Sequence, residues 1–321
     1  MGHDRVQAVA TTIVIAHRGA SGYLPEHTRE AKALAYGQGA DYLEQDVVAS
    51  RDGALVVLHD IQLDYVTDVA LRFPERRRSD GHFYAVDFDL AELKTLTLLE
   101  RRRPDRDEAL FPARFPRKPL GFRVVTLEEE LELVQGLNRA TGRRVGVYPE
   151  IKHPRWHAEH GIDLSRRLLE TLASFGFRHR DDPVFVQCFD GAEIARLRRE
   201  LGTELRLVRL VDDPAAEPQL ASPDGLAALA RDVDGLGTPF GALVTDAGGD
   251  TVPRASELVG RARQAGLLLH PYTFRRETVP AWAGDLERLL AFFIGRIGVD
   301  GVFCDFPDVA VRVRDAVAAG R

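Results

Sequence analysis

Short apolar runs typical of β-strands alternate with helical patterns along most of the 321-residue chain, and this alternation constrains the fold most strongly. About eight strand–helix units within roughly 300 residues favour a closed TIM (β/α)8 barrel over an open doubly wound sheet. The candidate strands are IVIAH (13–17), YLEQDVV (42–48), ALVVLH (54–59), VGVYPEIK (145–152), VFVQCF (184–189), LRLVRL (205–210), ALVTD (242–246), GLLLHPY (266–272) and GVFCDF (301–306).

Helix starts can be read between several of these runs. Thr126 followed by Glu129 is a capping box, because the hydroxyl can accept from the third helical N–H while the carboxylate reaches back. Asp190 and Glu193 have the same spacing, and Thr28 is the predicted N-cap of the helix that follows it. Helices therefore separate the strands, as parallel pairing requires.

Two connections depart from strict alternation. Only SRDGA (50–54) joins the second and third runs, which is too short for a parallel crossover, so a hairpin is predicted. Residues 62–124 hold many charges and prolines with one weak helical stretch at 90–96, and we interpret them as an insertion after the strand that carries His59. The expected organisation is a single α/β TIM-barrel domain over residues 1–321 with this insertion.

Side chains suited to chemistry stand where strands end, which is the end of a TIM barrel that carries the active site. The first run ends in His17, Arg18 and Gly19, and the third ends in His59. An imidazole moves protons near neutral pH, a guanidinium binds phosphate through two hydrogen bonds, and a glycine lets the backbone approach a ligand. The pattern indicates acid–base chemistry beside a bound anion.

Acidic residues form the second part of the pattern. Glu44 and Asp46 are two apart on one predicted strand, so both carboxylates face the same side. They need either a cation between them or a raised pKa on one of them, as in glycosidase pairs. Glu150 and Lys152 share a face at the end of the fourth run. Three carboxylates suit a hard divalent cation, Ca²⁺ or Mg²⁺, and the Lys suits an anion.

Composition argues against several functions. The net charge of −6 disfavours a general binder of nucleic acid or anionic membranes, and no run reaches the roughly 18 apolar residues of a membrane span. The RRR runs at 76–78 and 101–103 are expected to be solvated surface. Residues 1–12 lack the apolar segment of a signal peptide, so the chain as written is expected to be cytoplasmic, or periplasmic or secreted if a leader precedes it.

Several segments, taken in order, resemble the glycerophosphodiester phosphodiesterases, and most of all their bacterial periplasmic branch. They cover nearly the whole chain and include HRGASGYLPEHT (17–28), ADYLEQDVV (40–48), LVVLHD (55–60), YPEIK (148–152), VQCFD (186–190), LHPYTFR (269–275) and GVFCDFPD (301–308). The family has a TIM barrel with an insertion after the strand of the second His, which agrees with the irregular segment above. Residues 211–250 are less like the family, so the barrel rim there is expected to differ.

The resemblance implies hydrolysis of glycerophosphodiesters such as glycerophosphocholine to sn-glycerol 3-phosphate and an alcohol, in glycerol and lipid metabolism. It implies one divalent cation, with Ca²⁺ favoured and Mg²⁺ possible, and a small-molecule diester as the partner; the oligomeric state is left open. The implied site comprises an acid–base pair, two phosphate contacts and three metal ligands: His17 and His59; Arg18 and Lys152; Glu44, Asp46 and Glu150.

Three aromatic residues, Phe189, Tyr272 and Phe306, each end a candidate strand and are expected to form an apolar wall for glycerol, with ordinary packing as the alternative. Glu26 and His27 are expected to support the site or the helix start. Two other functions stay open: a barrel phospholipase acting on lysophospholipids or sphingolipids, and a non-catalytic binding protein on the same fold. The chain shows no basic amphipathic helix with Trp or Phe opposite, which disfavours the first. The intact set of seven polar positions disfavours the second.

Overall fold

Eight parallel strands form a barrel in the computed structural model, which describes residues 12–245 and 252–320. The described strands are β1 (Ile13–Ala16), β2 (Tyr42–Ala49), β3 (Leu55–Val57), β4 (Gly146–Ile151), β5 (Phe185–Cys188), β6 (Arg206–Leu210), β7 (Gly235–Gly237), β8 (Leu268–Leu269) and β9 (Gly301–Cys304). They neighbour one another in the order β8-β7-β6-β5-β4-β2-β1-β9, with β3 outside this path.

Main-chain hydrogen bonds beyond β8 bring the two ends of this sheet together. Asp300 N donates to Leu269 O at 3.0 Å, and Phe274 N donates to Phe303 O at 2.8 Å. Phe274 also forms a parallel bridge with Cys304 of β9. The predicted TIM (β/α)8 fold is therefore confirmed.

Helices follow most strands and cover the outside of the barrel. They are α1 (Arg29–Gly37), α2 (Val69–Arg72), α3 (Leu90–Leu93), α4 (Leu127–Thr141), α5 (Pro154–Glu159), α6 (Leu164–Ser174), α7 (Gly191–Arg199), α8 (Pro223–Leu229), α9 (Glu257–Gln264), α10 (Leu286–Ala291) and α11 (Pro307–Ala319). The predicted starts are confirmed: Thr28 Oγ accepts from Ala31 N at 3.1 Å, Thr126 and Glu129 form the capping box, and the Asp190 side chain caps α7.

One predicted strand is wrong. ALVTD does not form the seventh strand: residues Phe240–Leu243 are a 3-10 turn, and residue 246 lies outside the described residues. The strand is β7, which the sequence hides because two of its three residues are glycines and carry no β-forming side chain. The glycines are needed for close packing, since a Cβ on Gly237 would lie 2.5 Å from the Leu210 side chain.

The predicted hairpin is confirmed, because β3 pairs antiparallel with β2 through Val47 and Val57. Between β3 and α4 the chain runs over the barrel mouth with two helices of four residues each, α2 and α3, and forms no named strand within this described stretch. Across the described residues, no helix is both long and apolar enough to cross a membrane.

The barrel interior is filled by a layer of apolar side chains with one buried imidazole. Ile15, Tyr148, Phe185, Val208, Leu210 and Phe303 form this cluster. His270 is 1% exposed, and its Nδ1 lies 2.8 Å from the Tyr148 hydroxyl. Burial, together with the charge of Arg206, lowers the pKa of His270 to about 3. The ring is therefore neutral in the folded protein at physiological pH.

We expect His270 to make the protein less stable as the pH falls. Below the ordinary histidine pKa of about 6.5 the unfolded chain takes up a proton that the folded chain refuses until about pH 3. This one group therefore contributes a slope of up to about 1.4 kcal/mol per pH unit to the free energy of unfolding. His270→Gln should reduce the pH dependence of the free energy of unfolding between pH 5 and pH 6. The expected reduction corresponds to the uptake of about one proton on unfolding, and urea denaturation at several pH values measures it.

The matched control is His179→Gln. His179 is an exposed imidazole whose pKa is raised by its hydrogen bond to Glu204. Its removal should therefore change the slope of the free energy of unfolding against pH in the opposite direction. An unchanged slope in His270→Gln would contradict the burial argument.

Candidate active site

A tight turn after β1 places the first functional side chains at the barrel mouth. Arg18 and Gly19 both have left-handed backbones, with φ of 58° and 88°. A Cβ on Gly19 would lie 2.9 Å from the Ala31 carbonyl carbon, so glycine suits this position twice over. The Arg18 N–H donates to Glu44 Oε2 at 2.6 Å, which ties the turn to the neighbouring strand β2.

Two histidines are held in the same way by two aspartates. His17 Nδ1 lies 2.7 Å from Asp305 Oδ1, and His59 Nδ1 lies 2.8 Å from Asp60 Oδ1. A carboxylate at Nδ1 favours the tautomer with its proton there, which leaves Nε2 free to accept a proton. Burial and the nearby Arg18 charge lower the pKa of His17 to about 4 and that of His59 to about 3. Both rings are therefore neutral near pH 7.

Two arginines from the segment between β3 and α4 stand behind these pairs. Arg101 lies 2.7 Å from Asp60 Oδ2 and also ion-pairs with Glu26 at 2.7 Å. Arg114 lies 2.6 Å from Asp305 Oδ2 and forms a second ion pair with Glu277. Two parallel Arg–Asp–His chains result.

The expectation that RRR at 101–103 is solvated surface is therefore wrong for Arg101, whose side chain is 13% exposed. Its aspartate and glutamate partners are distant in sequence, so a run of like charges gave no sign of the pairing.

Three predicted carboxylates meet on adjacent strands. Glu44 and Asp46 lie on β2, Asp46 is in register with Glu150 on β4, and all three are buried. Lys152 Nζ lies 2.7 Å from Glu150 Oε1 and 3.6 Å from Asp46 Oδ1. Arg18 Nε lies 3.4 Å from Asp46 Oδ2. The structure thus brings the seven polar residues predicted for the site together around one pocket.

The carboxylates do not share their charge equally. Burial and the Asp46 charge raise the pKa of Glu44 well above its usual value. Burial raises the pKa of Glu150 to about 8, even though Lys152 opposes the rise. For Asp46 burial acts in the same direction, but Lys152 and His59 outweigh it and hold its pKa well below the usual range. Like charges crowded in this way would be relieved by a cation.

A histidine adds a further possible ligand. His27 Nε2 lies 2.7 Å from Asp46 Oδ2, and ligand atoms of His27, Glu44 and Asp46 all lie within 4.8 Å of one another. Asp46 Oδ1 and His27 Nδ1 are buried and have no hydrogen-bond partner among the described residues. This donor set fits a divalent cation. Sequence reasoning left His27 as a supporting residue, and Glu150 lies outside this tight group of three.

The carboxylate cavity, a pocket of about 170 Å³, lies above these groups. Phe189 and Tyr272 line it, with ring centroids 6.1 Å apart. Phe306 does not line it: its ring is 3% exposed and packs edge-on against Tyr23 at 5.2 Å. Two of the three predicted aromatic residues therefore face the site, and the third lies in the core.

Sequence reasoning missed Asp305, Arg101 and Arg114. The first could have been found, because Asp305 stands near the end of the GVFCDF run, where the other site strands also carry polar groups. The two arginines carry no local signal, since they lie in an irregular segment and act through distant partners.

Solved structures share this architecture. The TM-score is 0.62 against a glycerophosphodiester phosphodiesterase from Agrobacterium tumefaciens, at 23% identity, with 94% of this chain and 99% of that chain covered. It is 0.64 against an Oleispira antarctica phosphodiesterase in complex with the product sn-glycerol-3-phosphate, at 23% identity, with 95% and 97% covered. At this identity the likeness supports the fold alone.

Sequence relatives go further. A Haemophilus influenzae glycerophosphodiester phosphodiesterase is 38% identical, with 95% of this chain and 90% of that protein covered. A Treponema pallidum protein of the same name is 36% identical, with 94% and 91% covered. The chain is therefore a phosphoric diester hydrolase. Residues 17–309 match the Glycerophosphoryl diester phosphodiesterase family, and the chain belongs to that family.

A buried ion pair between Lys32 and Glu130 lies next to the carboxylate strand β2. Lys32 of α1 is fully buried; its Nζ donates to the Glu44 carbonyl oxygen and lies 2.7 Å from Glu130 Oε2. Lys32→Met leaves Glu130 buried without its cation, which should cost about 3–5 kcal/mol in the free energy of unfolding measured by urea denaturation.

The double variant Lys32→Met/Glu130→Leu serves as the comparison. It removes both charges, so it should be more stable than the single variant. A single variant within about 1 kcal/mol of the wild type would show that the pair is energetically unimportant.

Proposed function

We propose that this chain hydrolyses glycerophosphodiesters to sn-glycerol 3-phosphate and an alcohol, with one divalent cation and with His17 and His59 as the acid–base pair. The observation that carries the proposal is the convergence on one cavity of two imidazoles, three carboxylates and two cationic side chains. The product bound to the Oleispira antarctica neighbour is consistent with it.

The cation would be held by Glu44, Asp46 and Glu150, with His27 adjoining. An all-carboxylate set favours Ca²⁺, with Mg²⁺ as the alternative. When bound, the ion supplies positive charge that stabilises the developing charge on phosphate and lowers the pKa of the glycerol 2-hydroxyl. Asp46 Oδ1, which has no hydrogen-bond partner among the described residues, and the raised pKa values of Glu44 and Glu150 support such a ligand set.

The protein's own residues would then act in two steps. His17 Nε2 takes the proton of the glycerol 2-hydroxyl as that oxygen attacks phosphorus, and His59 protonates the leaving alcohol oxygen. Water opens the resulting cyclic phosphate with the two roles reversed. Arg18 and Lys152 bind the phosphate oxygens. Phe189 and Tyr272 form the apolar wall for glycerol, and Phe306 is left out because it is buried elsewhere.

The acid needs a proton that the free site disfavours. Burial, Arg18 and Lys152 lower the pKa of His59 to about 3. The negative charge of a bound diester counters those two cations, so substrate binding itself raises the affinity of His59 for a proton. Asp60 and Asp305 stabilise the imidazolium forms.

We further propose that residues 1–321 form a single domain and that residues 62–124 are an insertion into the barrel. Its contribution to function would be Arg101 and Arg114, which hold the aspartates behind both histidines.

Metal removal tests the proposal directly. After chelation the purified protein should release no glycerol 3-phosphate from glycerophosphocholine or glycerophosphoglycerol, and one of Ca²⁺ or Mg²⁺ should restore release. The same ion should raise the Tm of the wild type but not that of Asp46→Asn, because the variant loses a ligand charge. Activity that persists in chelator, or release from a lysophospholipid instead, would contradict the proposal.

Substitution tests the histidine roles. His17→Ala and His59→Ala should each lower kcat by about 100-fold or more, because each removes a proton-transfer group. Arg101→Met should lower kcat by about 10- to 100-fold, which is the range for residues that orient a functional histidine through an intervening carboxylate.

The control is His179→Ala, whose kcat should match that of the wild type. The His179 ring is exposed and does not line the site. A wild-type rate in His17→Ala would remove His17 from the mechanism.

A further inference from the structure

A second cavity lies on the other side of the histidine pair. The arginine cavity has a volume of about 190 Å³, enough for several water molecules. His17, Arg18 and His59 line both this cavity and the carboxylate cavity. A diester whose phosphorus lies at this shared wall therefore places one substituent in each cavity.

The two cavities differ in what they offer a substituent. The carboxylate cavity holds the proposed metal ligands and the apolar wall for glycerol. The arginine cavity is lined by segments outside the strand ends, including Glu100, Arg101, Leu110, Phe111, Arg114 and Arg275. Because glycerol is assigned to the carboxylate cavity, the leaving alcohol is the substituent that would lie in the arginine cavity.

Glu100 is an incompletely hydrogen-bonded carboxyl in the wall of the arginine cavity. It is 4% exposed, it forms no ion pair within the described parts of the chain, and its Oε2 has no hydrogen-bond partner there. The other carboxylates of the cavity wall, Glu26 and Asp305, are already bonded to guanidinium groups. Burial, then the Glu26 charge, raises the pKa of Glu100 to about 8. At neutral pH it is an uncharged carboxyl that can both donate and accept.

Arg275 offers complementary donors. Its contact with Asp305 is long, at 3.4 Å from Nε, and Asp305 is shared with Arg114 at 2.6 Å. Burial lowers the pKa of Arg275, which indicates a guanidinium that is incompletely compensated. The arginine cavity thus offers a bound molecule hydrogen-bond donors from Arg275 and an acceptor from Glu100.

This chemistry disfavours a cationic alcohol. Guanidinium groups outnumber ionised carboxylates on the wall when Glu100 is neutral. The Phe111 ring, which could have received a quaternary ammonium, has the Arg114 and Arg275 guanidinium carbons at 4.1 Å and 5.5 Å from its centroid. An ammonium group would meet two like charges at the ring.

We propose that the arginine cavity binds the leaving alcohol and that Glu100 and Arg275 select a neutral polyol over an alcohol that carries an ammonium group. This inference rests on the proposed function. Hydroxyl groups donate to the free Glu100 oxygen and accept from Arg275, so a polyol satisfies both. A choline group satisfies neither.

The first experiment compares two substrates on the wild-type, metal-loaded protein. We expect kcat/KM for glycerophosphoglycerol to exceed that for glycerophosphocholine by about tenfold, a size typical of one satisfied hydrogen bond. Equal use of both, or preference for the choline diester, would overturn the inference while leaving the proposed function intact. Hydrolysis of neither would overturn the proposed function and the inference with it.

The second experiment uses Glu100 variants. Glu100→Leu should lower kcat/KM for glycerophosphoglycerol about tenfold and change that for glycerophosphocholine less than about twofold. Glu100→Gln keeps an uncharged hydrogen-bonding group of similar shape, so it should stay within about threefold of the wild type. Glu108→Leu on the same segment is the matched control, because that side chain is 65% exposed.

A merely structural role gives a different result. If Glu100→Leu lowers kcat/KM equally for both substrates, Glu100 does not discriminate between the leaving alcohols and the inference fails. The wild-type substrate comparison requires no variant, so it can overturn the inference even if Glu100→Leu does not fold.

Discussion

Crowded, buried negative charge at one end of the barrel is the constraint on which the site depends. Glu44, Asp46 and Glu150 lie on neighbouring strands at buried positions, where like charges repel strongly. Lys152 and Arg18 offset part of this charge, and the raised pKa values of two carboxyls absorb another part. What remains is a group of carboxylates that could hold a cation, and their strand positions follow from parallel register alone.

The histidines depend on a different device. Each Nδ1 is hydrogen-bonded to an aspartate, and each aspartate is ion-paired with an arginine of the irregular segment between β3 and α4. The barrel positions the imidazoles, and the segment over its mouth orients them. The same segment forms much of the second cavity, so one irregular segment both contacts the aspartates behind the histidines and lines the space beyond them.

The sequence predicted the fold well where side chains carry the signal. Strands rich in Val, Ile and Leu, the caps Thr28 and Thr126, and the hairpin were readable, because propensity and turn chemistry act locally. β7 was not readable, since its glycines are selected by tight packing against neighbouring strands rather than by strand propensity. Phe306 ends its predicted strand as Phe189 does, yet one ring lies in the core and the other lines the cavity.

By itself, the sequence determined the barrel, the family and the identity of the polar groups at the strand ends, because alternation and strand-end position are properties of the chain order. Only the tertiary structure decided the partners. Arg101, Arg114 and Asp305 join the site, and His27 approaches Asp46, through contacts between segments far apart in sequence. Ion pairs depend on distance in space, and burial sets their strength, so neither can be read from spacing along the chain.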